Sequence, residues 1–491
     1  MPTATELIRQ RRARERGPAF APGARRVALL YPSPYRAGMS SLGFQWIHGV
    51  LVEQGFAVER AFLPDDPDDR APLLTYETLS PLASFPVIGV SLAYELELAG
   101  LIRALALAGI PPLRKDRGPF HPRVILGGPL TFSNPLPAAP FADLILLGEA
   151  EEVVGPAMDL ALDRQDWLAE AAALPGALVC ESLAHDADFS AIPPVAKASD
   201  ALLPARSRIV TPDAELSDMF LLEGERGCHR SCTFCVMRRS TNGGMRLVEP
   251  DRLMSLVPAH APRVGLVGAA ISDHPRLVEL LGTLIEAGKG VGISSLRADR
   301  VALKPDIARL LRQGGYGTLT VASDAASQRL RRSLSKGTTE AHLLRCAELA
   351  AEHKYRVLKV YMMLGLPDET DDDIDELIRF SAELAKIHPI ALGIAPFVPK
   401  HNTPMSGAGF AGQRLVEARL ARLQKALRRT RVEVRATSAR WAWIEAVLAQ
   451  GGPRAGEALV AAERSGGSFA AYRRALEEQV PELVGRVDRA A

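Results

Sequence analysis

Cysteine is scarce, with five among 491 residues. That is too few for a disulfide scaffold and fits a reducing compartment. Aromatic residues make up only 5%, so no stacking platform for bases stands out. The net charge is +2, which removes the polyelectrolyte character that would argue for nucleic acid or an anionic membrane; nucleic acid is possible but not indicated. No apolar run reaches the roughly 18 residues of a membrane span. The opening MPTATELIRQRRARERG lacks the apolar core of a signal peptide. These absences leave a soluble, cytoplasmic protein. Its 47% hydrophobic and 24% charged residues are ordinary for globular chains, and its length suggests two to four domains.

Residues 1–24 read as a basic tail, with Arg9, Arg11, Arg12, Arg14 and Arg16 before Pro18, Pro22 and Gly23. A solvated, partly helical lead-in is the favoured reading, and an arm touching an acidic partner such as RNA is the alternative. Residues 25–165 alternate strand and helix. RRVALLYP, VIGVSLAY, RVILGGP and ADLILLGE are buried-type strands, and SSLGFQWIHGVLVEQG and ELELAGLIRALALAG space apolar residues as helices do. This pattern predicts an α/β class, doubly wound, Rossmann-like parallel sheet, with ligands beyond the carboxyl ends of its strands. Those ends are rich in Gly, Ser, Thr and Pro, which let backbone approach a ligand; turn chemistry alone is the plainer account.

Residues 166–215 read as a connector. Over 216–405 the strands FLLEGERG, RVGLVGAA, GVGISSL, YGTLTVAS, VLKVYMMLG and IALGIAPFV alternate with helices. Six βα units predict a partial (β/α)6 barrel with chemistry at its carboxyl-end loops. Residues 406–491 form a C-terminal helical region, opening with Val416, Leu420, Leu423 and Leu427 at helical spacing among basic residues, as in an amphipathic helix packed on the barrel.

Three of the five cysteines fall together in ERGCHRSCTFC, at Cys228, Cys232 and Cys235, just after the first barrel strand. Thiolates bind zinc or iron–sulfur clusters. A structural zinc takes four protein ligands, so three leave it incomplete. A cubane [4Fe–4S] cluster on three cysteines keeps one iron open for a substrate or cofactor. Cys180, after ALVC, and Cys346, in LLRCAELAAEH, read as buried core residues.

CHRSCTFC resembles the signature of the radical S-adenosylmethionine (radical SAM) superfamily. ERGC resembles the RGC that precedes the loop, and Phe234 matches the aromatic before the third cysteine. The resemblance implies that Cys228, Cys232 and Cys235 hold a [4Fe–4S] cluster whose open iron chelates S-adenosylmethionine (SAM). An electron, from a donor such as flavodoxin or ferredoxin, then cleaves the sulfonium to a 5′-deoxyadenosyl radical. It further implies a set of SAM-binding residues. Gly268 and Ala269 occupy the second-strand Gly-Gly-Glu motif, here Gly268-Ala269-Ala270 without its acid, with Ser272 and Asp273 close by. Ser294, Ser295 and Arg297 fall in the third-strand region that contacts ribose and carboxylate. Asp324 stands where a Glu usually follows the fourth strand, with Arg329 to Arg332 beyond it. Leu364 opens the LGLPDET turn that lies near adenine.

The preceding domain resembles the cobalamin (vitamin B12)-binding domain of one branch of this superfamily, through PSPYRAGMSSLGFQ, VIGVSLAYE, ILGGPLTFSNP and DLILLGEAEEVV. That implies a corrinoid near Ser33, Gly38, Ser91, Gly127, Gly128, Pro129, Thr131, Gly148 and Glu149. The cobalt-ligating Asp-x-His-x-x-Gly is missing, and His48 reads as part of a helix. The expected function is cobalamin-dependent methyl transfer to an unactivated centre. Cobalamin-independent radical modification (methylthiolation, cyclisation or rearrangement) is one alternative, and a non-catalytic cobalamin or redox sensor is another. The substrate, small or macromolecular, is not legible.

Overall fold

The computed structural model describes residues 3–237, 244–293 and 296–489. They divide into two compact units, one gathering 3–221 with 447–484, the other most of 222–446 with 485–489.

The first unit is built on six strands: β1 (Arg26–Pro34), β2 (Ala57–Leu63), β3 (Val87–Ser91), β4 (Arg123–Gly127), β5 (Leu144–Leu146) and β6 (Ala177–Val179). Their order is β2-β1-β3-β4-β5-β6. The first five run parallel, and β6 adds an antiparallel edge. Val87, Ile88, Leu144 and Ile145 are fully buried, as a sheet covered on both faces requires. The order reverses between β1 and β3, and open α/β sheets bind ligands at such a switch point.

Four features of this unit depart from the sequence reading. The basic tail contains a helix, Ala4–Arg14, started by a capping box between Thr3 and Glu6. It buries Ile8, and Arg11 donates to the Tyr76 hydroxyl at 3.0 Å, so its charge is used internally. The connector is not a free linker: β6 comes from it, and its Ala196 backbone pairs with Leu147 and Glu149. Strand β2 has no sequence signal because Glu59 and Arg60 sit in its middle. Both are buried and satisfied, Glu59 by the Thr75 and Thr78 hydroxyls at 2.6 Å and Arg60 by Glu15 and Glu77 at 2.7–2.9 Å. Finally, much of the C-terminal region belongs here, where Asn134 donates to the carbonyls of Leu448, Ala449 and Gly451.

The second unit holds β7 (Met219–Glu223), β8 (Glu225–Cys228), β9 (Gly244–Leu247), β10 (Arg263–Val267), β11 (Gly290–Ile293), β12 (Leu296–Arg297), β13 (Thr318–Asp324), β14 (Val357–Leu364), β15 (Ile390–Pro396) and β16 (Val432–Ala436). Strands β11-β10-β7 and β12-β13-β14-β15-β16 form two sheets, and β8-β9 a short antiparallel pair. The strand and helix alternation is that of a partial barrel, extended by β16 beyond the six predicted βα units. The amphipathic helix Gln413–Leu427 packs on the barrel helix Asp371–Ile387. Arg419 is bound to Glu369 at 2.7 Å and Arg422 to Asp375 at 2.6 Å, so this basic face is partly neutralised.

Candidate active site

Strand β8 ends at Cys228, opposite Gly244 of β9. The chain then folds through Cys232 and Cys235, both partly exposed like Cys228. Two anchors fix this loop. Thr233 donates its N–H to the Leu334 carbonyl at 3.1 Å. Arg230 makes a two-pronged contact with Asp273, at 2.7 and 2.6 Å. Arg300 binds the same carboxylate at 2.5 Å. Burial works to raise the Asp273 pKa, but the hydrogen bonds from Arg230 and Arg300 and the charges of Arg230 and Arg297 outweigh it and hold it at about 2.

Burial raises the Cys228 and Cys235 thiols above the ordinary range. A thiolate there needs a cation to offset the cost, which iron supplies as it displaces the proton. Among the described residues, no three His, Cys, Asp or Glu are grouped as ligands of a single metal ion. Three half-exposed thiols on one short loop fit the corners of a cluster, and the Arg230 N–H lies 3.4 Å from Cys228 Sγ, as sulfur ligands of clusters commonly accept. The other two cysteines are buried elsewhere: Cys346 lies against the Ala298 carbonyl at 3.5 Å, and Cys180 belongs to the first unit.

The acid missing after Gly268-Ala269 has a neighbour that supplies one. Glu225, three residues before Cys228, is fully buried and accepts from the Ala270 N–H at 2.6 Å. Its second oxygen has no hydrogen-bond partner among the described residues. Burial pushes its pKa up to about 7. In the sequence Glu225 reads only as a flank of the motif, and a lone charge before a cysteine gives no sign of pointing at a strand distant in sequence.

The other expected SAM residues divide. Phe234 is half-buried within the loop, Ala269 is exposed and Gly268 half-exposed at the carboxyl end of β10. Asp324 ends β13 with φ +65°, a strained value for a non-glycine residue, and pairs with the nearly buried Lys336, which sequence reasoning passed over. Arg297 is 8% exposed and its guanidinium meets Asp299 at 3.1 Å. Ser272 accepts from the Arg297 N–H at 3.2 Å, and Asp273 is committed to arginines, so neither stands open for an amino group. Of the Arg329 to Arg332 group, Arg329 is taken by Asp373. Leu364 has its side chain fully buried and its carbonyl accepting from the Phe397 N–H at 2.7 Å, because β14 and β15 pair to their ends. Ser294 and Ser295 lie outside the described residues.

In the first unit, Ser33 and Ser91 end β1 and β3, on either side of the switch point, and both are half-buried. Gly127, Gly128 and Pro129 follow β4 at the same edge, partly or fully exposed. Gly128 has φ +105°, and a Cβ on it would lie 2.5 Å from the Leu92 carbonyl. Four expected residues turn inward instead. Gly38 is buried against the Phe62 ring. Thr131 is 2% exposed and binds the Gly128 carbonyl at 2.8 Å. Gly148 and Glu149 are closed over by residues 195–198, with the Glu149 carboxylate accepting from Ala198 at 2.8 Å. His48 is buried in the helix Leu42–Glu53, the place its sequence context suggests, and burial holds its pKa down at about 3. The edge therefore fits a ligand met by backbone and small side chains, without an imidazole from that motif. No helix is long and apolar enough to cross a membrane, among the described residues.

Comparison with known proteins agrees with this geometry. Residues 43–179 match the family "Radical SAM proteins, N-terminal", and residues 224–381 match the radical SAM superfamily. An uncharacterised protein of Methanocaldococcus jannaschii is 29% identical over 388 residues, covering 77% of this chain and 78% of its own. The ribosomal protein uS12 methylthiotransferase RimO of an Anaeromyxobacter species is 30% identical over 37% of this chain and 41% of its own. Among solved structures, the radical SAM methyltransferase TsrM of Kitasatospora setae aligns with TM-score 0.57 at 14% identity, over 78% of this chain and 75% of its own. The cobalamin-dependent SAM radical enzyme OxsB aligns with TM-score 0.51 at 13% identity, over 90% of this chain and 70% of its own. With both domains matched in order and the three thiols on the loop after the first barrel strand, the chain is a member of the radical SAM superfamily, with the N-terminal domain of radical SAM proteins ahead of its barrel.

Proposed function

We propose that this radical SAM enzyme holds a corrinoid at the edge of its N-terminal sheet and transfers a methyl group to an unactivated centre of its substrate. The observation that carries the reading is the switch point between β1 and β3, where Ser33, Ser91 and the Gly127-Gly128 backbone stand at the carboxyl edge, with the exposed Tyr94 on the loop after β3. The likeness to TsrM and OxsB, which extends over both domains, supports it.

When bound, the cluster and SAM supply the radical, and a corrinoid supplies a carrier for the methyl group. The chain's own residues bind and orient. Cys228, Cys232 and Cys235 are the cluster ligands. Thr233 and Arg230 hold their loop, one on the Leu334 carbonyl and the other on Asp273. Asp324 and Lys336 hold the end of β13 beside that loop. Glu225 ties the loop after β10 to the cysteine strand through Ala270.

A second reading, radical modification without cobalamin, is favoured by the partial match to a methylthiotransferase and by the missing Asp-x-His-x-x-Gly. Absorption of the anaerobically reconstituted protein, desalted from added hydroxocobalamin, separates the two. Corrinoid bands beside the iron–sulfur absorption are expected; iron–sulfur absorption alone would transfer the assignment to the second reading.

A further inference from the structure

The inner wall of the barrel is furrowed. On β14 the residues that face outward are buried, while Val357, Lys359, Tyr361 and Met363 are the accessible ones, and Tyr361 is 40% exposed. Parallel strands are ordinarily covered on both faces, so an open inner face asks what fills it.

Register explains the furrow. Tyr361, Gly393 and Arg435 lie side by side on β14, β15 and β16, and Met363 neighbours Ala395 one step nearer the carboxyl ends. The middle strand carries the smallest side chains, which leaves room between Tyr361 and Arg435, whose strands lie about 10 Å apart, two strand spacings. The floor has to be glycine: a Cβ on Gly393 would lie 2.8 Å from the Tyr361 ring. The cavity above it holds about 380 Å³ and runs from Lys359 to Asp324 at the mouth, beside the cysteine loop. Towards the amino ends of the strands it continues into an open space of about 1050 Å³.

The charge along it is lopsided. Lys359 and Arg435 line both parts, and Arg263, Arg356 and Arg431 join them below. The carboxylates in the lining are Glu433 and, at the mouth, Asp324, which is already paired with Lys336. Glu433 occupies one edge of the Arg435 guanidinium, at 2.7 Å, leaving Nη1 outside that contact. Lys359 spends one proton on the Tyr361 hydroxyl, at 2.8 Å, and lies 4.4 Å from that ring. A furrow with a flat aromatic wall and surplus positive charge attracts anions and orders them by position.

We infer that the substrate carries an anionic group, carboxylate or phosphate, held by Lys359 and Arg435 with its body along Tyr361, so that its other end faces the mouth at Asp324. The inference rests on the radical SAM reading only for what happens at that mouth; anion binding itself does not need it.

Three probes with one body test it: benzoate, phenyl phosphate and benzyl alcohol, titrated calorimetrically into the reconstituted full-length protein at fixed ionic strength. At least one anion is expected to bind about tenfold or more tighter than the alcohol. Preference for phenyl phosphate or for benzoate identifies which acid the substrate bears. Lys359→Met and Arg435→Gln should each weaken the anion about tenfold and leave the alcohol unchanged, while Lys359→Arg should stay within about threefold of the parent. Lys425→Met, on the exposed face of the helix Gln413–Leu427, guards against a general charge effect and should change nothing. Equal binding of the three probes, or an anion affinity indifferent to both furrow variants, would overturn the inference. Anion binding by a protein that makes no 5′-deoxyadenosine from SAM would leave the furrow standing and remove the enzyme reading; the converse result would do the opposite.

Discussion

The carboxylate of Glu225 stands where a side chain on Gly268 would have to go. A Cβ on that glycine would lie 2.3 Å from Oε1, closer than atoms tolerate. Gly268→Ala should therefore displace Glu225 and loosen the loop after β10, lowering stability by about 1–3 kcal/mol as overpacking does. The double variant with Glu225→Ala should recover much of that loss. Additive losses in denaturant titrations of the cluster-free protein would show that the two residues are not in competition.

Glu225 also gives a pH dependence of known sign. Its folded pKa of about 7 lies above the ordinary carboxylate value, so the folded state holds its proton longer than the unfolded one. Its effect is a loss of stability as pH rises from roughly 4.5 to 7, on the order of 3 kcal/mol if no other group compensates. Glu225→Gln should flatten the fall in thermal midpoint of the cluster-free protein over that window. An unchanged slope would place the raised carboxyl elsewhere.

Asp273 has the opposite sign. Held at about 2 by Arg230 and Arg300 against the cost of burial, it adds stability above its unfolded value near pH 4 and loses that contribution as pH falls towards 2. Asp273→Asn leaves Arg230, Arg297 and Arg300 facing one another. It should destabilise by about 3–5 kcal/mol and lower iron retention through the freed Arg230. Retention of a full cluster would mean that Thr233 alone anchors the loop.

Asp324 and Lys336 act as a pair. Asp324→Asn should weaken SAM binding more than cobalamin binding in equilibrium dialysis. Equal affinity for SAM would show that the residue after β13 is structural, a role its φ of +65° could also serve.

Most of the architecture was legible because it is written in apolar runs. The strands read at VIGVS, RVILG and VLKVYMML are strands, and each has a fully buried face. What escaped notice depends on long-range partners. AVERAFL looks too polar for a fully buried strand until Glu15, Glu77, Thr75 and Thr78 arrive from elsewhere to satisfy Glu59 and Arg60. The cluster loop was legible through cysteine spacing, but its supports Asp273 and Leu334 lie over 40 residues away and carry no local signal. At the N-terminal edge, the loops rich in Gly, Ser, Thr and Pro suggested backbone open to a ligand, yet spacing could not distinguish such a loop from one, like Gly148-Glu149, that is closed by residues 195–198.

If Cys228, Cys232 and Cys235 hold a cluster at which SAM is reductively cleaved, the protein releases 5′-deoxyadenosine and loses that activity with any one of the three thiols. The direct measurement is 5′-deoxyadenosine released by the anaerobically reconstituted protein with SAM and a strong reductant, quantified chromatographically beside Cys228→Ala, Cys232→Ala, Cys235→Ala, Cys180→Ala and Cys346→Ala. The account predicts product from the parent, none from the first three variants together with loss of cluster iron, and full iron content in the last two. Product from any of the first three, or none from a parent with a full cluster, would contradict it.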